Sequence, residues 1–259
     1  MSELGDDVAE RYRAPALDKG LDILELLADC DEGLSQAEIA KALERTPNEI
    51  YRMLDRLVRR HYVIRDAGDR YQLSLKLFSL AYRHPPTRRL VSQALPPMRR
   101  FAREAEQSCH LVVYDRGSLV VVAQVDSPGY WGVTIKVGSH IGLVNTGSGH
   151  VLLAFASPAE RSLMLEEREV MPHELWPNDF ERRLDEVRER GHEVMQSQQT
   201  LGVTNISLPL LGPGGTVLAA LTCPYLERID TARPPSRDAV LELLARTASE
   251  ITAGVGDRG

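Results

Sequence analysis

Apolar residues recur at helical spacing through the first part of the chain. Leu17, Leu21, Leu24 and Leu27 follow one another every three or four positions, which predicts an amphipathic helix within "ALDKGLDILELLADC". The segments "SQAEIAKAL" and "TPNEIYRMLDRLVRR" each open on a capping-box pattern, in which a Ser or Thr is followed three positions later by Glu. Two short helices joined by a brief turn form a helix-turn-helix pattern.

The second of these helices has two chemically different sides. At about 100° per residue, its apolar residues fall on one side and its polar residues on the other. The stretch 45–60 also contains five arginines, although the whole chain has a net charge of −6. This helix therefore has one side for a protein core and one for a polyanion. The apolar side contains Ile50, Met53, Leu54 and Leu57, and the opposite side contains Asn48, Arg52, Asp55 and Arg59.

A hairpin pattern follows the second helix directly. "HYVIRDAGDRYQLSL" reads as two strands across a glycine-containing turn. A helix-turn-helix followed by a hairpin predicts a winged helix-turn-helix domain, which we assign to residues 14–75. The polar residues 1–13 before it are predicted to be a disordered tail.

Prolines mark the next part of the chain. A helix is predicted over about 75–83, and two further helical segments over 87–95 and 97–107, because prolines start helices well and interrupt them badly. We assign residues 76–95 to a linker helix and residues 96–259 to an effector-binding and oligomerisation domain.

Strands and helices are intermixed after residue 107. "CHLVVYDRGSLVVVAQV" predicts a hairpin, "WGVTIKVG" a strand, and "NTGSGHVLLAFAS" a turn that enters a helix. Ser157 and Glu160 form a third capping box, and an exposed helix in "NDFERRLDEVRERG" ends at Gly191. The strands "HEVMQSQ", "VTNISLPLLG" and "TVLAALTC" precede a closing helix in "SRDAVLELLARTASEITAGV". Hairpins in place of strict βαβ alternation predict an α+β domain with a mainly antiparallel sheet.

Composition narrows the class of protein. The chain is 43% hydrophobic and 26% charged, as in ordinary soluble proteins, and no apolar run approaches the roughly 20 residues of a membrane span. Cys30, Cys109 and Cys223 are far apart, which argues against a disulfide framework and favours the cytoplasm. Residues 36–83 contain ten basic and six acidic side chains, so the remainder of the chain is strongly acidic. This asymmetry predicts two parts with different partners.

Both halves of the chain resemble one family. "ALDKGLDILELLAD", "LSQAEIAKAL" and "PNEIYRMLDRLVRRHYVIRD" resemble the winged-helix domain of IclR-type bacterial transcriptional regulators. "VGSHIGLVNTGSGHVLLAFAS" and "LGVTNISLPLLGPGGTVLAALTC" resemble their effector domain. The resemblance, over roughly residues 15–255, implies a GAF-like effector domain, a dimer or tetramer, and a pseudo-palindromic DNA operator near catabolic genes. We expect a repressor, with activation as the alternative, and no cofactor.

The polar side of the 46–59 helix has donors suited to duplex DNA. Arginine can bridge guanine O6 and N7, and asparagine can bridge adenine N6 and N7. Residues early in the helix are expected to lie near the bases. The later arginines of this helix, and the start of the preceding helix, are expected to lie near phosphates. The arginines of the wing are expected to contact the DNA backbone or the minor groove. The alternative is a winged helix that contacts only protein. The predicted DNA-binding residues are Ser35, Gln36, Thr46, Asn48, Glu49, Tyr51, Arg52, Arg56, Arg59, Arg65 and Arg70.

The segment "NTGSGH" predicts an anion site, because amide groups at a helix N-terminus favour negative charge. The alternative is a tight turn that only caps the helix. The family resemblance adds residues from the last two strands, and nearby apolar residues supply walls for an aromatic or short organic acid. The predicted effector-binding residues are Trp131, Val133, Asn145, Thr146, Gly147, Ser148, Gly149, His150, Met195, Asn205, Ser207, Thr222 and Cys223.

Two departures from the family pattern leave the identity of the effector open. His150 stands where relatives often have lysine, and "MQSQQ" stands where many have a paired acidic segment. Two alternative functions also remain: a second domain that only oligomerises, and a thiol enzyme using Cys109 or Cys223. The histidines lack close metal-ligand spacing, so no metal site is predicted, although one built across the fold is the alternative. Effector binding near 145–149 and 205–222 is expected to change half-site spacing through the helices around 75–107.

Overall fold

The computed structural model of the protein describes residues 14–83, 85–172, 174–229 and 235–256. The chain forms two compact units, residues 1–85 and 86–259. The predicted disordered tail, residues 1–13, lies outside the described residues. None of the helices within the described ranges combines the length and apolar character needed to cross a membrane.

The first unit contains the predicted helix-turn-helix and wing. Ile23, Ile39, Ile50 and Leu54 form the centre of its core, which confirms the apolar stripe predicted for the helix after the turn. In the first helix Ile23 and Leu27 are buried, whereas Leu17 and Leu21, predicted on its apolar side, are 61% and 46% exposed. Three short antiparallel strands lie in the order β1-β3-β2. The two-residue strand β1 was not predicted because it is too short for a periodic pattern. The elements are α1 (Pro15–Ala28), β1 (Leu34–Ser35), α2 (Gln36–Ala42), α3 (Pro47–Arg59), β2 (Val63–Arg65), β3 (Arg70–Leu73) and α4 (Lys76–Arg83).

Local hydrogen bonds set where α2 and α3 begin. The Ser35 hydroxyl accepts from the backbone N–H of Glu38, and the Glu38 carboxylate accepts from the Ser35 N–H at 2.7 Å. The Glu49 carboxylate accepts from the backbone N–H and the hydroxyl of Thr46, one residue before the helix begins at Pro47. The predicted helix starts are therefore confirmed, because capping depends only on residues close in sequence.

The second unit is one six-stranded antiparallel sheet with helices on both faces. The strand order is β6-β5-β4-β9-β8-β7, which confirms the predicted α+β class. Alternate residues of a strand enter different cores. Leu111 packs with the helices Pro85–Ala105 and Arg237–Gly256, and Val112 packs with the helices Gly147–Phe155 and Phe180–Arg190. The elements are α5 (Pro85–Ala105), β4 (Cys109–Asp115), β5 (Ser118–Val125), β6 (His140–Ile141), α6 (Gly147–Phe155), α7 (Pro158–Glu166), α8 (Phe180–Arg190), β7 (Glu193–Gln196), β8 (Val203–Leu211), a 3₁₀ turn (Pro213–Gly215), β9 (Val217–Leu226) and α9 (Arg237–Gly256).

The helix α5 runs through Pro96 and Pro97, so the predicted break between 87–95 and 97–107 is wrong. A proline inside a helix costs about 3 kcal/mol or more. Burial of a large apolar side chain contributes about 1.5–3 kcal/mol each, and the inward face of α5 supplies several such groups. The packing against the sheet outweighs the local penalty. The buried residues on this face are Leu90, Ala94, Met98, Phe101 and Ala105.

Two smaller expectations also fail. Residues 131–138, predicted to be a strand, form an irregular segment. A side chain, in place of a neighbouring strand, binds the backbone of this segment: the Ser108 hydroxyl donates to the Val133 carbonyl at 2.6 Å. His61, expected to be packed, is exposed at the end of α3 with φ of 61°, a conformation that turns the chain into the wing.

Candidate nucleic-acid interface and effector cavity

The polar side of α3 faces away from the core of the first unit. Asn48, Tyr51, Arg52 and Arg56 are exposed, while Ile50 is completely buried on the opposite side. No salt bridge is found for Arg52 or Arg56 within the described part of the chain. Their guanidinium groups are therefore available to phosphates or base edges.

Other predicted DNA-binding arginines have partners on the surface of the unit. Arg59 pairs with Asp55 at 2.9 Å, one turn earlier on α3. Arg65 pairs with Asp69 at 2.9 Å across the tip of the wing. Exposed pairs of this kind contribute little to stability, so both arginines can exchange a carboxylate for a phosphate at low cost.

Four residues predicted to contact DNA also have structural roles. Arg70 donates to the Gly33 carbonyl at 2.8 Å and pairs with Glu38, which ties the wing to α2. Gln36 donates to the Pro47 carbonyl at 2.9 Å and joins the starts of the two helices. The hydrogen bond from Lys19, with those from Thr46, lowers the pKa of Glu49 to about 2. The Ser35 hydroxyl in turn caps α2. Contacts of these four residues with DNA stay a prediction.

A cavity of about 390 Å³ opens in the second unit on the face of the sheet that packs against α6. Its floor comes from strands β4, β8 and β9, and the first turn of α6 forms one wall. The size suits a small organic molecule. The cavity brings together the predicted residues Val133, Asn145, Thr146, Gly147, Ser148, Asn205 and Thr222.

The start of α6 is built for close approach of a ligand. The Thr146 hydroxyl accepts from the Gly149 N–H at 3.1 Å and donates to the Gly142 carbonyl at 2.7 Å. The amides of Gly147 and Ser148 remain as first-turn donors, because the first N–H groups of a helix have no intrahelical partner. A helix N-terminus with such donors attracts an anion.

A chain of hydroxyl groups fixes the first turn of α6 to the sheet. The Ser148 and Thr222 hydroxyls lie 2.8 Å apart, and Thr222 donates to Ser207 at 2.8 Å. All three side chains are buried. Thr222 and Ser148 border the cavity, while Ser207 supports them from behind.

Besides Ser207, five predicted effector residues do not line the cavity. Trp131 is 65% exposed, and Met195 is buried outside the cavity wall. Cys223 lies in the opposite core because neighbouring side chains of a strand point to opposite faces, and Thr222 is the one that faces the cavity. Gly149 is needed for packing, since a Cβ there would lie 1.8 Å from the Leu143 carbonyl oxygen. The fifth residue, His150, points away into a buried ion cluster.

The ion cluster joins α6, α8 and β7. Glu193 is fully buried, and its carboxylate lies 2.9 Å from His150 Nδ1 and 2.9 Å from Arg183 Nε. Burial acts to raise the pKa of Glu193, but the hydrogen bonds from His150 and Arg183 outweigh it and lower the pKa. His150 Nε2 faces the Val144 carbonyl at 2.9 Å, so both ring nitrogens of His150 face hydrogen-bond acceptors.

Sequence reasoning missed several cavity residues. His110 on β4 lines the cavity, and burial lowers the pKa of its side chain to about 4, so the ring is neutral at physiological pH. His140 lines it too, with Nδ1 2.7 Å from the Ser118 hydroxyl. The local sequence around His110 and His140 does not mark them as cavity residues, because only strand pairing brings them beside α6. Other cavity residues that were not predicted are Thr134, Ile135, Ile141, Gly142, Met171, Pro172, Ser197, Gln199, Thr200, Val203 and Pro224.

The two thiols considered for catalysis are buried in apolar surroundings. Burial raises the pKa of Cys109 to about 12 and also raises that of Cys223. A thiolate is the reactive form of cysteine, so these groups are poor nucleophiles. Within the described ranges there is also no group of three His, Cys, Asp or Glu side chains placed to hold a metal ion.

Comparison with known proteins covers nearly the whole chain. Residues 16–67 match the model of the IclR helix-turn-helix domain, and residues 86–253 match that of the bacterial transcriptional regulator IclR C-terminal domain. HTH-type transcriptional regulator KdgR of Escherichia coli (strain K12) is 28% identical over 78% of this chain and 79% of its own length. HTH-type transcriptional regulator BhcR of Paracoccus denitrificans (strain Pd 1222) is 27% identical over 94% of this chain and 88% of its own.

Solved structures show the same fold. An IclR homolog from Microbacterium hydrocarbonoxydans, complexed with 4-hydroxybenzoate, has a TM-score of 0.75 and 21% identity, covering 93% of this chain and 98% of its own. Thermotoga maritima IclR has a TM-score of 0.72 and 21% identity, covering 94% of this chain and 100% of its own. With both domain models matched in order, this chain belongs to the IclR family of transcriptional regulators, with a DNA-binding domain and an effector domain.

Proposed function

We propose that this protein represses a catabolic gene cluster and releases its operator when a small organic acid binds the cavity of the second unit. One observation carries the proposal: the cavity combines the open first turn of α6 with apolar walls, as a small carboxylic acid requires. The relative crystallised with 4-hydroxybenzoate supports an acid of this size.

On the DNA side, we propose a dimer, able to form a tetramer, that reads a pseudo-palindromic operator with two copies of α3. Asn48, Tyr51 and Arg52 would contact base edges because they lie early on the exposed side of the helix. Arg56 and Arg59, with Arg65 on the wing, would contact phosphates. The exposure of these side chains supports the assignment.

We propose sensing rather than turnover as the role of the second unit. Both buried thiols have raised pKa values, and the relatives described above are transcriptional regulators. Binding without chemistry is sufficient for a regulator, because differential affinity of a ligand for two states shifts their populations.

Acid binding is expected to weaken operator binding by about fivefold or more, the lower range of coupling between two sites. The measurement is footprinting on the DNA upstream of neighbouring catabolic genes, with and without the substrates of those genes. A matched fragment with a scrambled half-site controls for nonspecific binding.

The alternatives give different results in the same experiment. A second unit that only oligomerises would leave the footprint unchanged by every acid, and no acid would raise the thermal stability of the protein. A footprint that strengthens with acid would replace repression by activation. A winged helix that contacts only protein would give no specific footprint.

A further inference from the structure

The exposed side of α5 has a row of four arginines, which we call the α5 stripe. Its members are Arg88, Arg89, Arg99 and Arg103. At about 100° per residue, all four fall within about 100° of one side of the helix. The opposite side packs against the sheet, where Met98 and Phe101 are buried. The α5 stripe is therefore a continuous surface that faces away from the core.

The arginines of the α5 stripe form no salt bridge within the described part of the chain. Glu104 is the only acidic residue in the sequence of α5, and Arg100, beside the stripe, is the arginine of α5 that pairs with Glu250 on α9. On α8, by contrast, Arg182 pairs with Asp179 at 2.6 Å. The positive charge of the α5 stripe is therefore available to a partner.

Positive charge in the second unit is concentrated on α5. Residues 85–105 contain five basic and one acidic side chain, whereas residues 106–259 contain 13 basic and 20 acidic side chains. Solubility needs no such separation, because mixed charges are sufficient for it. None of the four arginines lines the cavity, so the stripe has no part in the proposed acid site. The separation of charge favours a polyanionic partner for α5.

The dimensions and chemistry of the α5 stripe suit duplex DNA. Arg103 follows Arg88 by 15 positions, which corresponds to about 22 Å along a helix. The same length of duplex contains about six or seven base pairs. A guanidinium group matches a phosphate with two parallel hydrogen bonds and is more weakly hydrated than an ammonium group. The stripe can therefore contact several phosphates of one stretch of duplex.

The position of α5 in the chain favours DNA over an acidic protein as the partner. Arg88 follows Arg83, the last residue of α4, by only five positions. The first unit matches a DNA-binding domain, so an operator bound there raises the effective concentration of DNA for a surface on the same short tether. An acidic protein would have no such advantage.

We propose that the α5 stripe contacts phosphates of the DNA that flanks the base pairs contacted by α3. This role goes beyond the proposed repression and acid sensing, because it assigns part of the DNA affinity to the second unit. Phosphate contacts have no sequence information of their own. The stripe therefore adds affinity and lengthens the contacted DNA without adding base specificity.

The test uses the double substitution Arg88→Gln and Arg99→Gln in the full-length protein, because glutamine keeps the helix propensity of arginine. Fluorescence anisotropy at several salt concentrations measures binding to the footprinted operator with its native flanks, and to a scrambled duplex of the same length. We expect about tenfold weaker binding to both, and a decrease of about two in the slope of log affinity against log salt, since each phosphate contact contributes about 0.9.

The matched control is the double substitution Arg182→Gln and Arg190→Gln, which removes two exposed arginines from α8 in the other core of the same unit. It is expected to change affinity less than about twofold and to leave the salt slope unchanged. A shorter operator, cut at the outer ends of its half-sites, lacks the flanking phosphates. On that duplex we expect the wild type and the Arg88→Gln and Arg99→Gln variant to bind alike.

Equal affinity and equal salt slope of this variant and the wild type on the long duplexes would overturn the proposal and leave the stripe to an acidic protein surface. An equal loss in the α8 control would overturn it as well, since net charge alone would then account for the effect. A loss that persists on the cut operator would place the contacts within the half-sites, against the flanking assignment.

The scrambled duplex separates this proposal from the proposed function. A protein without an operator that still shows the expected loss on the scrambled duplex keeps the phosphate contacts and loses the repressor role. Arg89→Gln with Arg103→Gln is the second variant if the first does not fold, and a loss of about tenfold is expected there too. If neither duplex binds to the wild type, the proposal and the repressor role are both wrong.

Discussion

Replacing Glu193 by Gln is expected to lower the free energy of unfolding of the second unit by about 3–5 kcal/mol. The substitution keeps the shape of the side chain but removes the one negative charge that lies 2.9 Å from both His150 and Arg183. The Arg183 guanidinium and the buried His150 ring then lose the carboxylate that they contact, which is the costly state of a broken buried ion pair. Thermal unfolding of the full-length protein, followed by calorimetry, measures the loss.

The matched control is Glu186→Gln on α8. Glu186 pairs with Arg182 at 3.4 Å on an exposed surface, so its loss is expected to change stability by less than about 0.5 kcal/mol. Equal effects of the two substitutions would show that the cluster at Glu193 is not a stabilising ion site.

The pH dependence of stability gives an independent check on Glu193. Its pKa is lowered in the folded protein, below the ordinary value of 4.5. Its contribution is therefore complete above about pH 4.5 and is lost as the pH falls through the folded pKa. The wild type is expected to lose stability more steeply in acid than Glu193→Gln does, and parallel pH profiles would contradict this account.

Replacing Arg52 by Ala is expected to weaken operator binding by about 10- to 100-fold, the loss that follows when an arginine contact to a guanine edge is removed. Arg52 is exposed at the middle of the polar side of α3 and has no salt bridge within the described residues that would otherwise occupy it. The measurement is an electrophoretic mobility shift with the footprinted operator at fixed salt. Acid binding to the second unit is expected to be retained.

Arg182→Ala is the control, because it removes the same charge from an exposed position on α8 in the second unit. It is expected to change operator affinity less than about twofold. Repeating the titration over a range of salt separates the two kinds of contact: loss of a phosphate contact reduces the salt slope by about one, while loss of a base contact relaxes specificity. Wild-type operator binding by Arg52→Ala would place a different surface in the groove.

Local rules account for the parts of the fold that were predicted well. The starts of α2 and α3 follow from caps within three residues of one another, and the apolar stripe of α3 follows from helical period alone. Strand geometry also places Thr222 and Cys223 on opposite faces, so the prediction that put both at the effector site did not apply this rule.

Other features that were not predicted involve interactions between distant residues. The prolines of α5 were expected to interrupt it, but the burial of Met98 and Phe101 against the sheet outweighs that local preference. The guanidinium of Arg70, predicted from sequence to reach DNA, also donates to the carbonyl of Gly33, far away in sequence, a contact that was not predicted. Local propensity is a weak guide wherever tertiary packing supplies a larger energy.

From sequence alone, the order of elements, the winged helix, the antiparallel second domain and the two-sided α3 were all accessible, because each depends on spacing between near neighbours. The cavity wall and the ion cluster were decided only in three dimensions. His110 reaches the cavity through pairing of β4 with β9, and Glu193 meets His150 and Arg183 through packing of β7 under two helices. Such contacts join residues whose separation along the chain has no periodic pattern, so only the folded sheet brings them together.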